Sequence, residues 1–171
     1  MSAIDQQRQT HPISVTVNGR VYARSVEPRR TLVDFLRYEL DLPGTHSACE
    51  HGFCGVCGVC NVLVDGQTVR SCLMFAVQAD GMSVITVESL AASNGTLSTL
   101  QQAFHDHHGL QCGYCTPSML MTAKEYLDAN PDGGTDEQIR EAISGVLCRC
   151  TGYQQIVESI RAAASAGKET S

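Results

Sequence analysis

Apolar and polar residues alternate over 13–17, with Ile13, Val15 and Val17 on one side, and this period of two predicts a strand. Asn18-Gly19 is a two-residue hairpin signal, and 20–26 returns as the partner strand until Pro28. The period then lengthens. Thr31 is placed to cap a helix over 32–40 whose Leu32, Phe35, Leu36 and Leu40 share one face, and Pro43-Gly44 breaks it. A Cys- and Gly-rich loop follows from about 44 to 60. Beyond it, 61–64 reads as a strand, Asp65-Gly66 as a turn, 68–71 as the returning strand and 84–87 as a last strand.

The pattern changes after Val87. Residues 91–95 read as a linker or turn, and 97–104 as a first helix. A second spans 118–130 and is stopped by Pro131-Asp132-Gly133-Gly134; Thr116-Pro117 offers it an N-cap and a first-turn proline. Thr135 caps a third, with Ile139, Ala142, Ile143 and Leu147 as its apolar stripe. Thr151 offers a cap to a fourth over 153–164, with Ile156, Val157 and Ile160 inward. The prediction is an α+β chain. A β-grasp sheet with a helix across it occupies 13–90, and an all-α four-helix unit occupies 91–165. Residues 1–12 read as a disordered or extended start and 166–171 as a loose tail. No internal repeat is evident.

Composition narrows the function. The 171 residues are 43% hydrophobic, enough for real cores, and carry a net charge of −6 with no basic run beyond Arg29-Arg30. That argues against nucleic acid or an anionic membrane as partner. No apolar run spans a bilayer, and the polar N-terminus lacks a signal-peptide core, so a cytoplasmic protein is expected. Nine cysteines in such a chain point to metal binding rather than to a disulfide scaffold.

The thiols fall into two sets. Cys49-x4-Cys54-x2-Cys57, with Cys72 further on, is plant-type 2Fe–2S spacing. Gly52, Gly55 and Gly58 keep that loop clear of Cβ atoms, so that backbone N–H groups can approach a cluster. The second set pairs Cys112-x2-Cys115 with Cys148-x-Cys150, each beside a predicted helix start, where the helix dipole favours thiolates. Four thiolates suit zinc or an iron–sulfur cluster. Cys-x-Cys is less usual in structural zinc sites, and the ferredoxin-like neighbour favours iron.

Gln111-Cys112-Gly113-Tyr114-Cys115-Thr116-Pro117 and the later run from Leu147 to Val157 resemble the second iron–sulfur domain of the molybdenum hydroxylase family. The run from Cys49 through Asn61 to Cys72 resembles its ferredoxin-like domain, and the resemblance covers roughly 13–165. It implies the small subunit of a complex with a large molybdopterin-binding subunit and a medium FAD-binding subunit, compatible with a dimer of heterotrimers. It implies two 2Fe–2S clusters relaying electrons from the molybdopterin centre to FAD. It implies that Gln111 contacts the pterin and that Cys150 lies on the path from it. The chain departs from the family at Cys54-Gly55-Val56-Cys57-Gly58-Val59-Cys60, where Gly-Val-Cys reads as duplicated. Loop spacing favours Cys57 as third ligand. The distance to Cys72 and the place at the strand start favour Cys60. The short loop tips the expectation to Cys57, and Cys60 is then a spare thiol or the true third ligand.

Other residues carry blander readings. His105, His107 and His108 around Asp106 suit a solvated helix end better than a metal site. His46 and His51 flank the first loop, where packing competes with cluster tuning, and Met119, Leu120 and Met121 read as core. No nucleophile–base pair, phosphate loop or dinucleotide fingerprint appears. A free-standing ferredoxin-like carrier and a zinc-stabilised interaction module remain as alternatives to the oxidoreductase subunit.

Overall fold

The computed structural model describes residues 9–49 and 56–169. Its first half is one five-stranded sheet. The strands are β1 (His11–Val17), β2 (Arg20–Val26), β3 (Asn61–Val64), β4 (Gln67–Arg70) and β5 (Ser83–Ile85), in the spatial order β2-β1-β5-β3-β4. Two tight turns make the antiparallel hairpins β1–β2 and β3–β4, while β1 and β5 run parallel. Ile13, Val15 and Val17 all face inward, as a period of two requires. Asn18 and Gly19 both take positive φ, the geometry of the hairpin turn their sequence announces.

Helix α1 (Leu32–Asp34) passes directly into a π-helical turn, Phe35–Glu39. Thr31 caps it by accepting from the Asp34 N–H. Leu32, Phe35 and Leu36 pack with Ile13, Val15, Val62 and Val84 to form the sheet core, and Leu40 joins at its margin. Val33 points the other way, against Cys60 and Cys72. The predicted strand over 84–87 is shorter at its end: β5 stops at Ile85 and a 3-10 turn, Val87–Ser89, follows.

The second half forms α2 (Thr99–Asp106), α3 (Thr116–Ala129), α4 (Asp136–Ile143) and α5 (Gln154–Glu169). Phe104, Met119, Leu120, Ile139, Ile143 and Ile160 are among the residues that close a second core. Thr135 caps α4, accepting from the Gln138 N–H. Two other caps differ from expectation. The N-cap of α3 is Cys115, and the Thr116 hydroxyl is buried inside the helix without a hydrogen-bond partner. Thr151 does not cap α5, which begins three residues later; its hydroxyl serves Cys148 and Tyr153 instead.

The two halves meet along α3 and the β3–β4 hairpin. Ser118 Oγ donates to Gly58 O, Asn61 Nδ2 to Thr122 Oγ1 at 3.1 Å, and Arg70 Nη2 to Gly145 O at 3.2 Å. Gly58 has φ +64, and a Cβ there would fall 2.0 Å from Gly145 O, so the approach of the two backbones requires glycine. No described helix is long and apolar enough to cross a membrane.

Candidate iron–sulfur sites

The first site forms at the end of the β3–β4 hairpin. The register pairs Asn61 with Arg70. The next step outward sets Cys60 opposite Ser71, whose hydroxyl donates to Cys60 O at 2.7 Å. Cys60 and Cys72 therefore sit side by side, both buried against Val33, with Cys49 packed beside them. Cys49 Sγ and Cys72 Sγ are 3.7 Å apart. Two thiolates bound at about 2.3 Å to one tetrahedral metal lie about 3.8 Å apart, so this spacing fits shared ligation. Burial, then hydrogen bonds and like charge from Cys60 and Cys49, push the Cys72 thiol far above its ordinary value. Crowded, buried thiols of this kind are costly to ionise without a cation, which is the electrostatic condition of a metal socket.

Of the two registers open in the sequence, this convergence favours Cys60. Cys57 stands elsewhere: it packs against the helical core, and its carbonyl accepts from the Leu147 N–H at 2.8 Å. The hairpin carries Cys60 opposite Ser71, and the turn that follows sets Cys72 beside it. Cys54, with Gly52, Gly55 and His51, lies outside the described residues. Gly58 lies buried at the interface of the two halves and presents no surface.

The second site lies where the loop before α3 meets the loop before α5. A cavity of about 240 Å³ is lined by Cys57, Cys112, Cys115, Cys148, Cys150 and Leu147, among others. The four remaining thiols couple in two pairs, each joining one loop to the other. Cys112 is held below its ordinary value first by the Tyr114 backbone N–H and then by Cys150, whose own thiol is raised by the same bond. Cys115 is pushed up to about 12 by burial and then by its hydrogen bond with Cys148. Burial opposes ionisation of Cys148, yet the Thr151 hydroxyl, the backbone N–H groups of Thr151 and Cys150, and Cys115 together bring it down. Among the described residues no three such side chains gather around a single metal ion. Two thiol pairs facing each other match the two irons of a rhomb, each needing two thiolates.

Local backbone explains the pairing. Gly113 (φ +80) and Gly152 (φ +65) turn the two loops. Tyr153 takes φ +69, rare for a bulky residue, and its hydroxyl folds back to accept from Cys148 N at 2.8 Å and donate to Val146 O at 3.1 Å. Thr151 Oγ1 lies 3.1 Å from Cys148 Sγ. Cys112, Cys150 and Gln111 are exposed on the outer side of the site, with Leu110, Tyr114 and Leu147 around them. Cys115 and Cys148 are buried.

The weaker candidates separate cleanly. His105, His107 and His108 are exposed, and His105 Nδ1 contacts Asp106 Oδ1 at 2.9 Å, which helps hold that carboxyl below its ordinary range. Met119 and Met121 are fully buried core. His46 reaches across to the second loop rather than into the first site, a contact that its sequence neighbourhood did not signal. None of the eight described cysteines forms a disulfide.

Comparison with known proteins agrees with this chemistry. Residues 15–83 match the family of 2Fe-2S iron-sulfur cluster binding domains, and residues 86–161 match the 2Fe-2S binding domain of the second type. The chain is 55% identical over 154 residues to caffeine dehydrogenase subunit gamma of Pseudomonas sp. (strain CBB1), covering 89% of this chain and 90% of that one. It is 55% identical over 148 residues to the nicotine 6-hydroxylase small subunit of Paenarthrobacter nicotinovorans, covering 86% of each. The crystal structure of quinoline 2-oxidoreductase from Pseudomonas putida 86 superposes with a TM-score of 0.87 at 47% identity, covering 94% of this chain and 98% of that chain. Fold and thiol sets thus define an iron–sulfur protein of the oxidoreductase class. The chain belongs to the small iron–sulfur subunits of the molybdenum hydroxylase family.

Proposed function

We propose that this chain is the electron relay of a molybdenum hydroxylase. It would hold one 2Fe–2S cluster in the β-grasp unit (13–90) and one in the four-helix unit (91–165), between a molybdopterin-binding large subunit and an FAD-binding medium subunit. The observation that carries the reading is the gathering of Cys112, Cys115, Cys148 and Cys150 around one cavity, beside a separate convergence of Cys49, Cys60 and Cys72. Cys54 completes the first set in this reading, and Cys57, packed against the helical core, lies outside it. Clusters of this type supply one-electron redox capacity. The chain supplies position, burial and hydrogen bonds to sulfur.

In this reading the helical-unit site would receive electrons from the molybdopterin side and the first site would pass them to the flavin. Exposed Gln111 and Cys150 face outward at the former and suit contact with a pterin, as the family resemblance implies. At the first site, Leu73 and Phe75 stand exposed just beyond buried Cys72, an apolar rim suited to the flavin subunit. Relatives named for caffeine, nicotine and nicotinate favour a nitrogen heterocycle as the complex's substrate, bound on the large subunit. A cytoplasmic location suits clustered reduced thiols.

A Cys72→Ala chain, still assembled with both partners, tests the order. On rapid mixing, substrate reduces the helical-unit cluster at the normal rate while flavin reduction becomes very slow. Undiminished flavin reduction contradicts the relay.

A further inference from the structure

We infer that Tyr114 and His46 form a clasp that fixes the separation of the two cluster-binding loops, and so act as positioning residues for electron exchange between them. This rests on the relay proposed above. Tyr114 stands between Cys112 and Cys115, in the second loop. Its hydroxyl donates to Ser47 O at 2.6 Å, two residues before Cys49 of the first set. His46 Nδ1 lies 2.8 Å from Tyr114 O; a carbonyl only accepts, so Nδ1 carries the proton there. The two rings stack with centroids 4.6 Å apart and an interplanar angle of 18°. Three contacts thus converge on Tyr114, two from His46 and one from Ser47.

The placement distinguishes a clasp from general interface glue. The bonds of Ser118, Asn61 and Arg70 join the hairpin to α3 and to the turn after α4. Those hold the two bodies together. Among the described residues, the hydrogen bonds between the segment leading into Cys49 and the Cys112–Cys115 loop are those of Tyr114. The far side of that segment is pinned separately, by Arg37 Nη1 to Pro43 O and Thr45 O at 2.7 and 2.8 Å and by Gly44 N to Glu88 Oε1 at 2.7 Å. Tyr114 itself belongs to the other loop, between Cys112 and Cys115. One residue therefore grips both loops by groups of fixed geometry. Electron exchange between two bound clusters would transfer no proton and break no bond, so the separation and orientation of their loops would be among the levers the protein holds.

The test uses the holo complex with Tyr114→Phe, which keeps the stack and loses the hydroxyl, His46→Phe, which keeps the stack and loses the bond to Tyr114 O, and the double alanine variant. Iron content is measured first; a wild-type complex without iron would fail the relay reading itself, separately from the clasp. Two readouts follow: amide exchange over 46–49, and the spin–spin splitting between the two reduced clusters. Both clusters are retained in every variant. Exchange over 46–49 rises roughly tenfold in each single variant, the loss of about one hydrogen bond, and further in the double variant. The splitting changes in the same order. Unchanged exchange and splitting in the double variant overturn the clasp. So does loss of either cluster's signal in Tyr114→Phe, because Tyr114 would then hold a cluster rather than set a distance.

Discussion

Cys60 and Cys72 lie side by side, buried at the open end of the β3–β4 hairpin, and Cys57 does not join them. The hairpin register sets Cys60 opposite Ser71, and the turn over 71–73, where the chain leaves the strand, brings Cys72 to its side. Cys60→Ala is therefore expected to lose the first cluster, halving iron per chain and removing one of two spin signals, whereas Cys57→Ala keeps both. Iron retained in Cys60→Ala, or lost in Cys57→Ala, refutes the assignment.

Gly58→Ala should weaken the seam between the two halves. The new Cβ meets Gly145 O at 2.0 Å on a backbone with φ +64. Strain and overlap together cost about 2–5 kcal/mol. Gly66→Ala is the control, with φ +85 but nothing within 4 Å, and carries strain alone. The melting temperature of the holo complex falls more for Gly58→Ala than for Gly66→Ala; equal falls contradict the close approach.

Tyr153→Phe removes the acceptor of the Cys148 N–H and the donor to Val146 O. An amide left unpaired beside a buried thiol costs about 1–3 kcal/mol. Iron should leave the helical-unit site faster under a chelator, while the first site's signal decays at the wild-type rate. Parallel loss from both sites would show that Tyr153 serves the whole fold and not the second loop.

Replacing His105, His107 and His108 together by Ala is expected to leave iron content and both spin signals unchanged. All three side chains are exposed at and just after the end of α2, and His105 pairs with exposed Asp106 among the described contacts. Loss of metal in the triple variant would revive a metal site there.

Much of this was legible because local signals agreed with the global fold. Alternation at Ile13, Val15 and Val17, the Asn18-Gly19 turn and the Asp65-Gly66 turn specify the two hairpins. The misread features depend on register or on tertiary context. Loop spacing leans to Cys57, whereas counting back from Asp65-Gly66 sets Cys60 opposite Ser71, one residue from Cys72, and the choice between them rests on the variants above. Thr116 and Thr151 look like caps in sequence. In the structure Cys115 takes the cap position of α3, and Thr151 turns to the Cys148 sulfur. The partnership of His46 with Tyr114 joins positions 68 residues apart, and no local pattern encodes it.

The most direct test of the central claim is metal analysis with low-temperature spin resonance on the complex purified with its partner subunits. The account predicts about four irons and four acid-labile sulfides per chain, and two distinct 2Fe–2S signals on reduction. Stoichiometric zinc in this chain, or a single cluster signal at full metal loading, would contradict it.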